Sequence, residues 1–184
     1  MTDLQKRQEF AWLAAITVLV GAFLLFQVQP VISKIILPWF GGGPSVWTTC
    51  LLFFQVLLVG GYAYAHVLSR YVPIHRQAWV HGILVLLSLL TLPILPGEAW
   101  KPTDADFPMF RILFLLLASV GVPYLLLSAT GPLVQAWFAR RYPERSPYRL
   151  YALSNVGSLG ALLSYPFLVE PALTTSQQAY SWSV

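Results

Sequence analysis

The feature that most constrains this chain is a series of apolar runs, each about as long as a bilayer is thick. A helix needs about 20 apolar residues to cross the hydrocarbon core. Five such runs are expected to be spans, at about 9–29, 45–68, 79–95, 111–139 and 151–171. Charged residues make up only 10% of the chain, against about a quarter in a soluble domain. The expected fold class is therefore all-α: an integral membrane helical bundle of about five transmembrane helices, in one domain over residues 1–171. Residues 172–184 are expected to be a polar tail or the start of a sixth helix. The first run follows Lys6 and Arg7 and has no small-residue cleavage pattern, so it reads as a retained helix.

The fifth run, Tyr151 to Pro171, organises the rest. At 100° per residue, Ser154, Gly157, Ser158, Gly160, Ala161 and Ser164 fall on one arc, and Val156, Leu159, Leu162, Leu163 and Phe167 on the other. Hydrophobic drive between helices is weak in lipid, so small residues at a contact face gain close backbone approach. This arc is expected to be the face on which other helices pack.

After the first run, residues 31–45 place Val31, Ile32, Ile35 and Ile36 around Lys34, a pattern that suits a short amphipathic piece at the interface. Gly41-Gly42-Gly43-Pro44 follows. It lacks the Lys-Ser/Thr of a phosphate loop, so it reads as a turn into a helix. In the second run, Thr48, Gln55, Tyr62 and His66 form a polar stripe. Polar groups are disfavoured in hydrocarbon, so the stripe is expected to face the bundle interior, as interhelical hydrogen bonding or as the lining of a path. His81 is expected at headgroup level, near the start of the third run. The fourth run is about 29 residues, or roughly 43 Å as a helix. Pro123 and Gly131-Pro132 are expected to break or kink it.

Charge sets the orientation. With the N-terminus inside, Lys6, Arg7, Arg70, Arg76, Arg140, Arg141, Arg145 and Arg149 fall on the inner side, and Lys34, Lys101 and Arg111 on the outer. That asymmetry satisfies the positive-inside rule, so a cytoplasmic N-terminus is expected. The same reasoning makes the +4 net charge a topology signal and excludes a nucleic-acid footprint. Cys50 is the only cysteine, so no disulfide framework or thiol–metal cluster is available. Asp104 and Asp106 lack a third ligand at suitable spacing and read as a solvated loop. No spacing of Ser, His and acidic residues names a reaction. No catalytic residue, metal or cofactor is expected.

Three stretches carry a resemblance: FQVQPVISKIILPWFGGGPSVWTTCLLFFQVLLVGGYAYAH (26–66), LLLSATGPLVQAWFA (125–139) and YALSNVGSLGALLSYPFLVEP (151–171). The chain resembles the membrane half of a bacterial family in which a multi-helix, major-facilitator-like region precedes a spermidine-synthase-like domain. That resemblance implies a helical bundle in the bacterial cytoplasmic membrane, with any transfer chemistry in a following soluble domain. The catalytic half is absent here, and HVLSRYVPIHRQ lacks the Asp-Arg-Gly-Arg-type loop of major facilitators.

The leading expectation is a non-catalytic membrane module, an anchor or accessory subunit in a larger assembly. Its partners would be the lipid bilayer and other membrane subunits or an appended soluble domain. Transport of a small, polyamine-like solute is the first alternative. The membrane part of a polyamine-synthase-like enzyme is the second.

Overall fold

The computed structural model describes residues 3–102 and 108–184; Asp104 and Asp106 lie outside the described residues. The fold is all-α, with no strand among the described residues. The helices are α1 (Asp3–Ile36), α2 (Pro44–Tyr71), α3 (Ile74–Ser88), α4 (Pro108–Arg141), α5 (Tyr148–Ala172) and α6 (Thr175–Ser183). Four stretches, Gln8–Phe40, Pro44–Tyr71, Pro108–Arg141 and Tyr148–Ala172, are long and apolar enough to cross a membrane.

Prolines explain most differences from the expected boundaries. The first span, expected to end near residue 29, runs through Pro30 to Ile36 as α1. Loss of one backbone hydrogen bond is tolerated where neighbouring helices hold the segment. Residues 31–36 are thus the last turns of α1 and not a separate interfacial piece. A 3-10 turn, Leu37–Phe40, follows. Gly41 (φ 85°) and Gly42 (φ 67°) then make the left-handed turn expected of the glycine run, and Pro44 opens α2.

The third expected span is shorter. Helix α3 has 15 residues, about 22 Å of rise. A 3-10 turn at Leu89–Thr91 follows, and Leu92 is extended (φ −86°, ψ 152°), the conformation that Pro93 imposes on its predecessor.

The fourth span is not broken at Pro123 or at Gly131-Pro132. Helix α4 is continuous, with one wide π turn at Leu117–Gly121 just before Pro123. A π turn re-spaces the carbonyls that the proline ring would otherwise strike. Helix α5 uses the same device at Tyr165–Val169, around Pro166.

The two most extensive pairings are α1 with α5 and α2 with α4, followed by α1 with α4. At the α1–α5 crossing, a Cβ added to Gly157 would lie 2.4 Å from the Leu19 carbonyl oxygen. The neighbouring Ala161 is fully buried. A second close crossing joins α2 to α4, where a Cβ on Gly61 would lie 1.8 Å from Ser128 Oγ and 2.8 Å from the Leu125 carbonyl.

The charges separate to two ends. At one end, Arg140 donates to the Ser69 carbonyl at 3.2 Å, Arg141 lies over the Phe10 ring and Arg145 over the Tyr142 ring. We call this the basic end. At the opposite end, Lys34 of α1 pairs with Glu170 of α5, Lys101 lies over the Trp39 ring and Arg111 donates to the Lys101 carbonyl. Two apolar clusters match these ends. Ile32, Ile36, Phe54, Ile112 and Leu116 pack toward the Lys34 end. Ala14, Phe138, Tyr142 and Leu150 pack at the basic end.

Residues 172–184 turn back onto the bundle as α6. Thr174 and Gln177 form a reciprocal capping box at its start, a Thr-x-x-Gln signal readable in the sequence. Trp182 Nε1 donates to the Leu24 carbonyl of α1 at 2.8 Å, and Tyr165 donates to Gln178 Oε1 at 3.2 Å.

Candidate functional site

The polar stripe of α2 does not face the interior. Thr48, Gln55, Tyr62 and His66 are all exposed on the single chain. The reason is rotational. The seam that α2 turns toward its neighbours contains Cys50, Phe54, Gly61, Ala65 and Leu68. Gln55, Tyr62 and His66 each directly follow a seam residue, and one residue is about 100° of turn. Gly61 and Ala65 allow the closer backbone approach, so their face wins the contact with α4 and the stripe is left on the flank. Thr48 returns its hydroxyl to the Pro44 carbonyl at 3.0 Å.

Tyr62, one member of the stripe, reaches a groove. This cavity of about 580 Å³ lies between α1, α4 and α5, with Tyr62 at its edge. It gathers residues from each expected group. Gly131 and Pro132 come from the expected break in α4, and Ser154 from the small-residue arc of α5. Pro132 has no N–H for the Ser128 carbonyl one turn earlier, so that carbonyl lacks its helical partner on the groove wall. Gly131 leaves the space open, since a Cβ there would meet nothing within 4 Å. Gln135 and Asn155 complete the polar part of the wall. Neither was singled out by sequence reasoning, because an isolated amide in an apolar run carries no positional signal. No acidic or basic side chain lines this groove.

The small-residue arc therefore divides. Gly157 and Ala161 make the helix contact, Ser154 lines the groove, and a Cβ on Gly160 would meet only Phe23, at 3.9 Å. Ser158 and Ser164 return their hydroxyls to the Ser154 and Ala161 carbonyls of their own helix.

A polar network also lies at the basic end. Helix α3 begins at Ile74, directly after Pro73, so the polar His75, Arg76 and Gln77 form its first turn, ahead of the run expected from residue 79. Gln77 is 1% exposed. Its amide donates to the carbonyls of Ser69 and Val72, at 3.3 and 2.7 Å, and its oxygen accepts from Trp137 Nε1 at 2.8 Å. It thus satisfies carbonyls that the end of α2 leaves orphaned and ties α2, α3 and α4 together. Gln77→Leu strands these groups. It is expected to cost about 1–3 kcal/mol, read as a lowered Tm in detergent; an unchanged Tm would show that the network is not structural.

His81, expected at headgroup level, is buried two turns into α3. Thr130 donates to the Leu126 carbonyl at 2.9 Å, so its oxygen accepts from His81 Nε2, 3.0 Å away. That leaves Nδ1 as acceptor toward the Tyr64 hydroxyl at 3.5 Å. In the neutral ring these contacts select the Nε2–H tautomer.

Among the described residues, no group of three or more His, Cys, Asp or Glu side chains is placed to hold a metal ion. Comparison of the chain with protein-family models, curated proteins and solved structures finds no match.

Proposed function

We propose that this chain is a non-catalytic helical module that packs laterally into a larger membrane assembly. The observation that supports this is the exposed stripe of α2. A face bearing Gln55, Tyr62 and His66 along a span of membrane length is disfavoured against lipid tails. It is accommodated when another protein helix supplies hydrogen-bonding partners. The resemblance of residues 26–66, 125–139 and 151–171 to the membrane half of spermidine-synthase-like fusion proteins agrees with this reading. Its setting in our reading is the bacterial cytoplasmic membrane, with the basic end on the cytoplasmic side.

Transport of a polyamine-like cation is the weaker reading. A buried cation needs a carboxylate, none lines the groove, and Glu170 is paired with Lys34 at the other end.

Photo-crosslinking tests the proposal. A photoreactive residue at position 55 is expected to give a discrete protein adduct in native membranes. The same residue at position 163, on the apolar outer face of α5, is expected to give lipid adducts. Lipid adducts alone at both positions would remove the proposal's support.

A further inference from the structure

The groove between α1, α4 and α5 carries hydrogen-bonding capacity that the chain itself leaves unused. Tyr62, Gln135, Tyr151 and Asn155 all line it. None of the four makes a side-chain hydrogen bond among the described residues. Each is uncharged and each can donate. Their depths follow from the helix rise of about 1.5 Å per residue. Tyr151 lies about 5 Å from the start of α5 and Asn155 about 10 Å, Gln135 lies about 9 Å from the basic end of α4, and Tyr62 lies about 13 Å from that end of α2. These donors therefore run inward from the basic end: Gln135 is half-buried, and Tyr62, Tyr151 and Asn155 are exposed on the single chain, where an unpaired polar group set against lipid is disfavoured.

The remaining wall is apolar and small. Gly21, Ala22, Ala136 and Ala139 widen the groove between helices that are otherwise packed, and Leu25 and Phe26 close its deeper end. The volume, about 580 Å³, lies within the range of about 300–1,000 Å³ that holds a small organic molecule. The lining lacks a carboxylate for a cation and an Arg or Lys for an anion. What it offers is a row of neutral donors beside an apolar floor.

We infer that this groove binds a neutral, lipid-soluble molecule whose polar atoms are hydrogen-bond acceptors, such as the carbonyls of a quinone or an acylglycerol. Donors from α2, α4 and α5 engage the carbonyl oxygens, and the apolar part of the ligand lies against α1. The inference shares Tyr62 with the docking face proposed for α2, but the other three donors, Gln135, Tyr151 and Asn155, lie on α4 and α5.

The test uses the protein in lipid nanodiscs, with empty nanodiscs as the blank. Three radiolabelled probes are compared: a short-tailed quinone, dioleoylglycerol and spermidine. At least one carbonyl-bearing probe is expected to be retained in excess of the blank, near one molecule per chain. Which of the two is retained identifies the ligand's source. Gly131→Leu places its side chain in the open space of the groove, without a close backbone contact, and is expected to weaken retention by about tenfold or more. Gln135→Leu keeps the volume and removes a donor, and is expected to weaken it by about three- to tenfold. Equal retention by Gly131→Leu and wild type would show bulk partitioning and overturn the assignment. So would retention of neither neutral probe, the result for a merely hydrated groove. Saturable spermidine binding lost in Gly131→Leu would overturn its neutral character.

Discussion

Gly157→Leu is expected to abolish the monodisperse fold of the purified protein, and Gly157→Ala to lower its stability by about 1–2 kcal/mol. Two effects oppose each other in the alanine variant. Alanine in place of glycine favours a helix by up to about 1 kcal/mol. Overpacking a close crossing costs about 1–3 kcal/mol. Overpacking prevails here because the new Cβ meets the Leu19 carbonyl oxygen at 2.4 Å and the Ala22 Cβ at 3.3 Å. The first is backbone, so relief requires α1 and α5 to separate. This is one of the two most extensive pairings in the bundle, and in lipid no hydrophobic drive compensates for lost contact. Gly160→Ala is the control, since its nearest neighbour is the Phe23 ring at 3.9 Å. Its effect should stay within about 0.5 kcal/mol. Thermal melts in detergent, followed by size-exclusion profiles, read both. Equal tolerance of alanine at 157 and 160 would show that α1 and α5 do not meet as described.

Gly61→Ala is expected to be damaging at the second crossing, again by about 1–2 kcal/mol net. Here part of the clash can be removed. Ser128 Oγ lies 1.8 Å from the new Cβ, whereas the Leu125 carbonyl, at 2.8 Å, is backbone and cannot be mutated away. Ser128 also donates to that same carbonyl at 2.7 Å, so rotating the hydroxyl aside breaks a bond. Combining Gly61→Ala with Ser128→Ala should recover about 1 kcal/mol relative to the sum of the single variants, measured as a double-mutant cycle. Gly60→Ala should be nearly silent, since it would meet only Leu125 Cδ1 at 3.8 Å. Strict additivity of the two changes would mean that α2 and α4 cross elsewhere.

These crossings show what could be read from the sequence. Gly157 and Ala161 could be placed on a contact face because small residues recur on one arc of α5, and that recurrence has a physical cause independent of any partner. The charge asymmetry was equally legible. Lys34, Lys101 and Arg111 do gather at one end, and Arg140, Arg141 and Arg145 at the other. The facing of α2 was not legible. Its polar stripe and its Gly61–Ala65 seam are one residue out of phase, and periodicity supplies a face without saying which competitor turns inward.

The prolines do not end these helices. Pro30, Pro123 and Pro132 all sit inside helices that continue. The handicap of proline is a lost hydrogen bond and a ring clash, and neighbouring helices and π turns absorb both. The groove was not legible for a different reason. Tyr62, Gly131 and Ser154 each carry a local signal, but on three helices distant in sequence. Only packing brings them to one cavity, and Gln135 and Asn155 become meaningful only beside it.

The central claim is that this bundle is a part of something larger, built against the flank of α2. Native mass spectrometry of the complex extracted in mild detergent tests it most directly, with the denatured mass of the same sample giving the polypeptide's own mass. The account predicts a defined species heavier than one polypeptide, which loses its partner when Gln55 and His66 are both replaced by leucine. A single polypeptide carrying only lipid, unchanged by that double replacement, would contradict it.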